Sequence, residues 1–116
     1  MIVLASSSPA RARLLGMLGL RFRVEPPPPV EDGEPFLPAT LDRAVETAVG
    51  RALAKARSVT RGKGEVVLAA DTLVFTGEYI LGKARDECDA RRMLGMLRGR
   101  WHLVITGYAV LGRGST

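Results

Sequence analysis

Residues 65–75, EVVLAADTLVF, decide how the rest of the chain is arranged. The run is apolar almost throughout, interrupted by Asp71 and Thr72, and it reads as a central strand covered on both faces. An unpaired carboxylate in such a strand is costly, so Asp71 must bind a metal, pair with a cation or change its pKa. The plainer alternative is hydrogen bonding to a turn, but the next residues continue the strand without a turn signal.

Downstream, FTGEYIL (75–81) reads as a hairpin turning at Thr76-Gly77 or Gly77-Glu78. LGKARDE (81–87) then bends toward a helix whose N-terminus is complemented by Asp86, Glu87 and Asp89. Ala90, Met93, Leu94 and Leu97 form its core stripe, and WHLVITGYAVL (101–111) is a last strand. His102 is expected to be a hydrogen-bonded structural side chain, because no nucleophile motif accompanies it. Residues 77–84, GEYILGKA, match the G-x-x-x-x-G-K part of a phosphate-binding loop. Ala84 stands where Ser or Thr would hold Mg²⁺, however, and EYIL reads as strand, which rejects an ATPase loop. What survives is Lys83, presented after a glycine near the end of the hairpin.

Upstream, apolar residues from Leu41 to Ala56 recur at i, i+3, i+4 and i+7, predicting a helix that begins after Thr40. Lys55 falls within its apolar arc. It either snorkels to the edge or reaches into a cleft where an anion neutralises it. Before that helix, LRFRV (20–24) reads as a short strand, and EPPPPV (25–30) as a stiff connector that delivers Glu31 and Asp32. At the start of the chain, MIVLASSSPARAR (1–13) joins a strand-like run to a hydroxyl-rich turn. Ser8 reads as the N-cap and Pro9 as the first helical residue, with Leu14, Leu15 and Leu18 following at helical spacing. Helix N-termini favour acids, yet this one carries Arg11 and Arg13 and none. Two readings stand. Main-chain N–H groups, serine hydroxyls and a guanidinium gather around an anion such as phosphate, or the serines only cap and the arginines are solvated.

At 116 residues and 47% hydrophobic, the chain suits one compact domain with a single core. No apolar run is long enough to span a bilayer and no signal-peptide pattern opens the sequence, so a cytoplasmic location without a membrane partner is expected. Cys88 is alone and has only His102 for company, which excludes an internal disulfide and a soft-ligand zinc cluster. Any metal is then held by oxygen. A net charge of +5 permits anionic partners, but the arginines are scattered and the chain has few aromatics, which argues against a nucleic-acid-binding domain.

Taken in order, LASSSPAR (4–11), EDG (31–33), LAKA (53–56), AADT (69–72), LGKARD (81–86), ML and HLVITG (102–107) resemble the Maf family of nucleoside triphosphate pyrophosphatases along nearly the whole chain. The resemblance implies an α/β fold, a mixed sheet flanked by helices and related in shape to the inosine triphosphate pyrophosphatases, with a cleft between two lobes. Residues 1–116 would form a single domain comprising the first lobe and part of the second. It also implies hydrolysis of nucleoside triphosphates to the monophosphate and pyrophosphate with a divalent metal, Mg²⁺ or Mn²⁺. Some members are associated with arrest of septum formation during cell division.

Carried over residue by residue, the resemblance puts Ser6, Ser8 and Arg11 on the phosphate-binding turn and adds Lys55 and Lys83 as triphosphate-binding cations. Glu31 and Asp71 become the acidic, metal-holding pair, with Asp71 also the general base. Ala10 and Thr72 fall at positions tied to substrate specificity, and the Ala-Asp-Thr form resembles the subgroup acting on dTTP and UTP rather than on 7-methyl-GTP. Two departures stand out. The family turn usually carries two consecutive arginines where this chain has Ala10-Arg11, and Arg13 replaces a usual glutamate. Family members also continue past this point into a second lobe, so the chain is expected to be truncated at its C-terminus. Its last strand would then be an exposed sheet edge, and a homodimer would cover it. The alternative to an enzyme is a catalytically impaired nucleotide-binding or septum-regulating protein.

Overall fold

The computed structural model describes residues 1–28 and 35–112. In chain order the elements are β1 (Ile2–Ala5), α1 (Pro9–Met17), β2 (Phe22–Val24), β3 (Phe36–Pro38), α2 (Leu41–Ser58), β4 (Val66–Phe75), β5 (Tyr79–Leu81), α3 (Glu87–Leu97) and β6 (Leu103–Leu111). Each helix begins at a side-chain cap. Ser8, Thr40 and Asp86 accept from the main-chain N–H groups of Arg11, Arg43 and Asp89, satisfying donors that the first turn leaves free. The β4–β5 hairpin turns at Gly77-Glu78, where Gly77 takes φ +100° and Thr76 N donates to Tyr79 O at 3.0 Å.

The strands form one mixed sheet around β4, an α/β arrangement as expected. β1 lies parallel to Val66–Ala69 with β2 outside it, and β5 lies antiparallel at Val74 and Phe75 with β3 outside it. β6 runs antiparallel along 67–75 on the opposite edge. β1 and β5 therefore share one edge of β4 end to end. Between them, residues 70–73 have a strand neighbour only on the β6 side among the described residues. That gap positions the site.

α2 covers one face of the sheet through Ala44, Ala48, Ala52 and Ala56, all buried. They pack on Val3, Ala5, Val67, Ala69 and Ala109 at one end and on Leu73, Phe75 and Ile80 at the other. Alanine lets the helix approach closely, and Gly107 takes the consequence: a Cβ there would lie 2.6 Å from the Ala48 carbonyl group and from Val49 N.

The expected two-sided covering of β4 holds on the α2 face alone. Across the other face α1 buries only Leu15, while Leu14, Met17 and Leu18 stay exposed, as do Val104, Tyr108 and Val110 of β6. The α3 stripe is likewise not a core stripe here: Ala90, Met93 and Leu97 are half-buried and Leu94 is exposed. Helical spacing marks an apolar side, but burial needs another element over it. The buried residue of α3 is Asp89, held by Arg85 N at 3.0 Å and Arg85 Nε at 2.9 Å. His102 is exposed just before β6 and makes no hydrogen bond among the described residues, so it is not the hydrogen-bonded structural side chain expected.

Candidate active site

Side chains alternate along β4, so Asp71 belongs to the row that faces α2, between Ala69 and Leu73, both buried apolar residues. Lys55 reaches it from the apolar arc of α2. Its Nζ donates to Asp71 Oδ1 at 2.8 Å and to Ala70 O at 3.4 Å, with the two side chains 25% and 12% exposed. Of the two readings of Lys55, the structure selects the cleft, and the neutralising anion is Asp71 itself. Asp71 Oδ2 remains buried with no hydrogen-bond partner among the described residues.

Thr72 belongs to the opposite face. Arg11 approaches it from α1, with Nη2 donating to Thr72 Oγ1 at 2.8 Å and Nη1 to Ala70 O at 3.3 Å. The serine turn makes this reach possible. Buried Ser6 accepts from Ser8 N at 2.9 Å, and Ser8 accepts from Arg11 N at 3.4 Å, which folds the start of α1 back over the end of β1. Arg13 is exposed. The two arginines thus part company: one is docked on a carbonyl and a hydroxyl of β4, and the other is solvated.

A guanidinium from one face and an ammonium from the other therefore meet at the Ala70 carbonyl, where the β4 edge has no strand partner among the described residues. Beside them lies a carboxylate with one oxygen unsatisfied. Two cations at a break in the sheet suit phosphate oxygens, and the orphan oxygen suits a proton or a hard cation.

Lys83 lies two residues past Leu81, whose register partner is Val74, so the chain leaves β5 toward this gap. It is exposed and makes no hydrogen bond or ion pair among the described residues. Ala10 is exposed in the first turn of α1. Glu31 lies outside the described residues, and among those described no three His, Cys, Asp or Glu side chains gather as a metal site.

One member of the network escaped sequence reasoning. Thr106 Oγ1 lies 2.9 Å from Thr72 Oγ1, on the register pair that joins β4 to β6. Only the pairing of the two strands could have revealed it. From Arg11, Thr72 and Thr106 a groove of about 350 Å³ runs along Leu14, Leu18 and Tyr108.

The family model described as Maf-like protein matches residues 1–116. A dTTP/UTP pyrophosphatase of Anaeromyxobacter dehalogenans (strain 2CP-C) is 50% identical over 109 residues, covering 94% of this chain and 52% of the relative. Proteins of the same name from Aquifex aeolicus (strain VF5) and Gloeobacter violaceus (strain ATCC 29082 / PCC 7421) are 44% and 41% identical over 110 residues. Those alignments cover 94% and 95% of this chain, and 55% and 56% of the relatives. The chain spans about half the length of the curated relatives it matches. With a match that runs the whole length of the sequence and a mixed α/β sheet of the expected kind, the chain belongs to the Maf-like protein family.

Proposed function

We propose that this chain carries the chemistry of a nucleoside triphosphate pyrophosphatase acting on dTTP or UTP in the cytoplasm. The observation that carries the reading is the meeting of Arg11, Lys55 and Asp71 at the gap beside Ala70. The relatives named dTTP/UTP pyrophosphatase support the choice of substrate, and so does Thr72. Water attacks the α-phosphorus, a bond forms from its oxygen, and the bond to the oxygen bridging to the β-phosphorus breaks, so that pyrophosphate leaves with the electron pair. Asp71 takes the proton of the attacking water. Arg11, Lys55 and Lys83 hold the triphosphate and offset the charge that grows on the leaving group, while Ser6 and Ser8 shape the turn beneath it. Ala10 and Thr72 contribute to the choice of base.

A divalent ion, Mg²⁺ or Mn²⁺, fits the donor set. Asp71 Oδ2 is a buried oxygen with no hydrogen-bond partner among the described residues, and such ions use one or two carboxylates together with water and phosphate oxygens. Asp71 and Glu31 would hold it. Bound there, the ion supplies charge neutralisation at the phosphate oxygens.

The test is to incubate the 116-residue protein with dTTP, UTP and 7-methyl-GTP in Mg²⁺ or Mn²⁺ and measure pyrophosphate against an Asp71→Asn control. Release from dTTP or UTP that vanishes in the control is the expected result. A folded sample that releases none refutes the enzyme reading for this chain.

Because the chain spans about half of its relatives, a second reading is a nucleotide-binding protein without turnover, including a septum-regulating one. Its signature is dTTP binding by calorimetry without pyrophosphate release. As partners we propose a nucleoside triphosphate and a second copy of the chain. Among the described residues no helix is long and apolar enough to cross a membrane.

A further inference from the structure

Arg11, Thr72 and Thr106 form a directed hydrogen-bond chain across two strands. Arg11 Nη2 donates to Thr72 Oγ1 at 2.8 Å, and Thr72 Oγ1 lies 2.9 Å from Thr106 Oγ1. A guanidinium has donors and no acceptor, so Thr72 accepts from Arg11. Accepting from a cation polarises the Thr72 hydroxyl and makes it the stronger donor of the pair, which orders the second contact from Thr72 to Thr106. Thr106 then accepts, and its own hydroxyl hydrogen has no further partner among the described residues. A chain that begins on a cation thus ends on a polarised O–H donor that no described residue takes up.

The head of this chain is part of the phosphate corner. Arg11 Nη1 donates to Ala70 O, the carbonyl that Lys55 also reaches, while Thr106 is the register partner of Thr72 on β6 and lines the same groove as Arg11. Neighbouring strands lie about 4.8 Å apart, so a nucleoside extending from phosphates held by Arg11 comes within reach of the Thr106 hydroxyl. We propose that Thr106 determines the choice of base by donating to a ring carbonyl of thymine or uracil, with Thr72 as the link that fixes and polarises it. Both rings carry an oxo group, an acceptor, where cytosine carries an amino group, a donor. The guanidinium behind the two hydroxyls favours the oxo group and opposes the amino group. The inference rests on the pyrophosphatase reading and adds to it a residue that touches the base.

Calorimetry on the 116-residue chain in Mg²⁺, with the non-hydrolysable α,β-imido analogues of dUTP and dCTP and with inorganic tripolyphosphate, tests it. The wild type should prefer the uracil analogue. Thr106→Val, which keeps the branched shape suited to a strand, and Thr106→Ala, a second variant without the hydroxyl, should cut that preference about fivefold to tenfold, the effect of one hydrogen bond. Tripolyphosphate, which has no base, should bind these variants as it binds the wild type, and Thr106→Ser, which restores the O–H, should recover the preference. Circular dichroism reports that each variant is folded. A preference that survives in the valine and alanine variants, or that fails to return with serine, overturns the proposal and leaves the two threonines as a cross-strand pair that only supports the sheet. A wild type that binds tripolyphosphate but treats the two analogues alike also overturns it, while leaving the phosphate corner standing. A wild type that binds none of the three overturns the proposal together with the reading beneath it.

Discussion

Replacing Lys55 by methionine should destabilise the protein more than replacing its partner Asp71 by asparagine. Methionine keeps most of the apolar stem but removes the ammonium that donates to Asp71 Oδ1 at 2.8 Å and to Ala70 O at 3.4 Å. The Asp71 side chain is 12% exposed and its Oδ2 has no partner among the described residues, so the carboxylate would be left without a donor from them on either oxygen. Breaking a buried ion pair from one side costs about 3–5 kcal/mol, and the 25% exposure of Lys55 brings the expected loss to the lower end, about 3 kcal/mol. In the reverse substitution, lysine swings its ammonium to water and asparagine keeps an acceptor, so the loss is about 1 kcal/mol. At about 4 °C per kcal/mol for a domain of this size, Tm should fall by about 12 °C and about 4 °C respectively. Urea denaturation at pH 7 followed by circular dichroism, on both single variants and the double, measures the difference. The double variant should be more stable than Lys55→Met alone, because it removes the stranded charge. Equal losses in the two single variants, or losses that simply add in the double, would refute the view that the lysine is what makes Asp71 tolerable in its apolar row.

Two further outcomes can be checked on the same protein. Gly107→Ala places a Cβ against the backbone of α2 at 2.6 Å, with no flexible side chain to yield, and should cost about 2–3 kcal/mol in urea denaturation; a loss under about 0.5 kcal/mol would show that α2 can retreat freely. Acid stability offers the second. Hydrogen bonds from the Arg85 guanidinium and then the Arg85 main-chain N–H hold Asp89 below the usual carboxylate range, and Arg23 followed by Gly62 N does the same for Glu65. Each folded carboxyl is then more acidic than its unfolded counterpart, so its contribution is complete above about pH 5 and is lost as pH falls through the folded value. Asp89→Asn should flatten the fall of Tm below pH 4, and an unchanged slope would remove Asp89 from the account.

The sequence by itself determined what depends on near neighbours along the chain. The cap at Ser8, the helix start after Thr40, the acids at the head of α3, the turn at Gly77-Glu78 and the helical arc that contains Lys55 all lie where composition and spacing put them, because capping and periodicity act over a few residues. The oddity of Asp71 within an apolar strand and of Arg11 at a helix start was visible for the same reason, as was the run of motifs resembling the family.

The tertiary structure alone decided how those oddities are resolved. Nothing local says that β1 and β5 share one edge of β4 with 70–73 between them, that Asp71 and Thr72 therefore meet cations from opposite faces, or that Thr106 completes the Arg11–Thr72 contact. Nor does local pattern show that Leu14, Leu18 and Leu94, at correct helical spacing, remain exposed. Strand order and register arise from contacts between residues far apart in sequence, and burial is set by whatever element lies opposite. An amphipathic pattern names the side a helix would bury; only the assembled sheet decides whether anything is there to bury it.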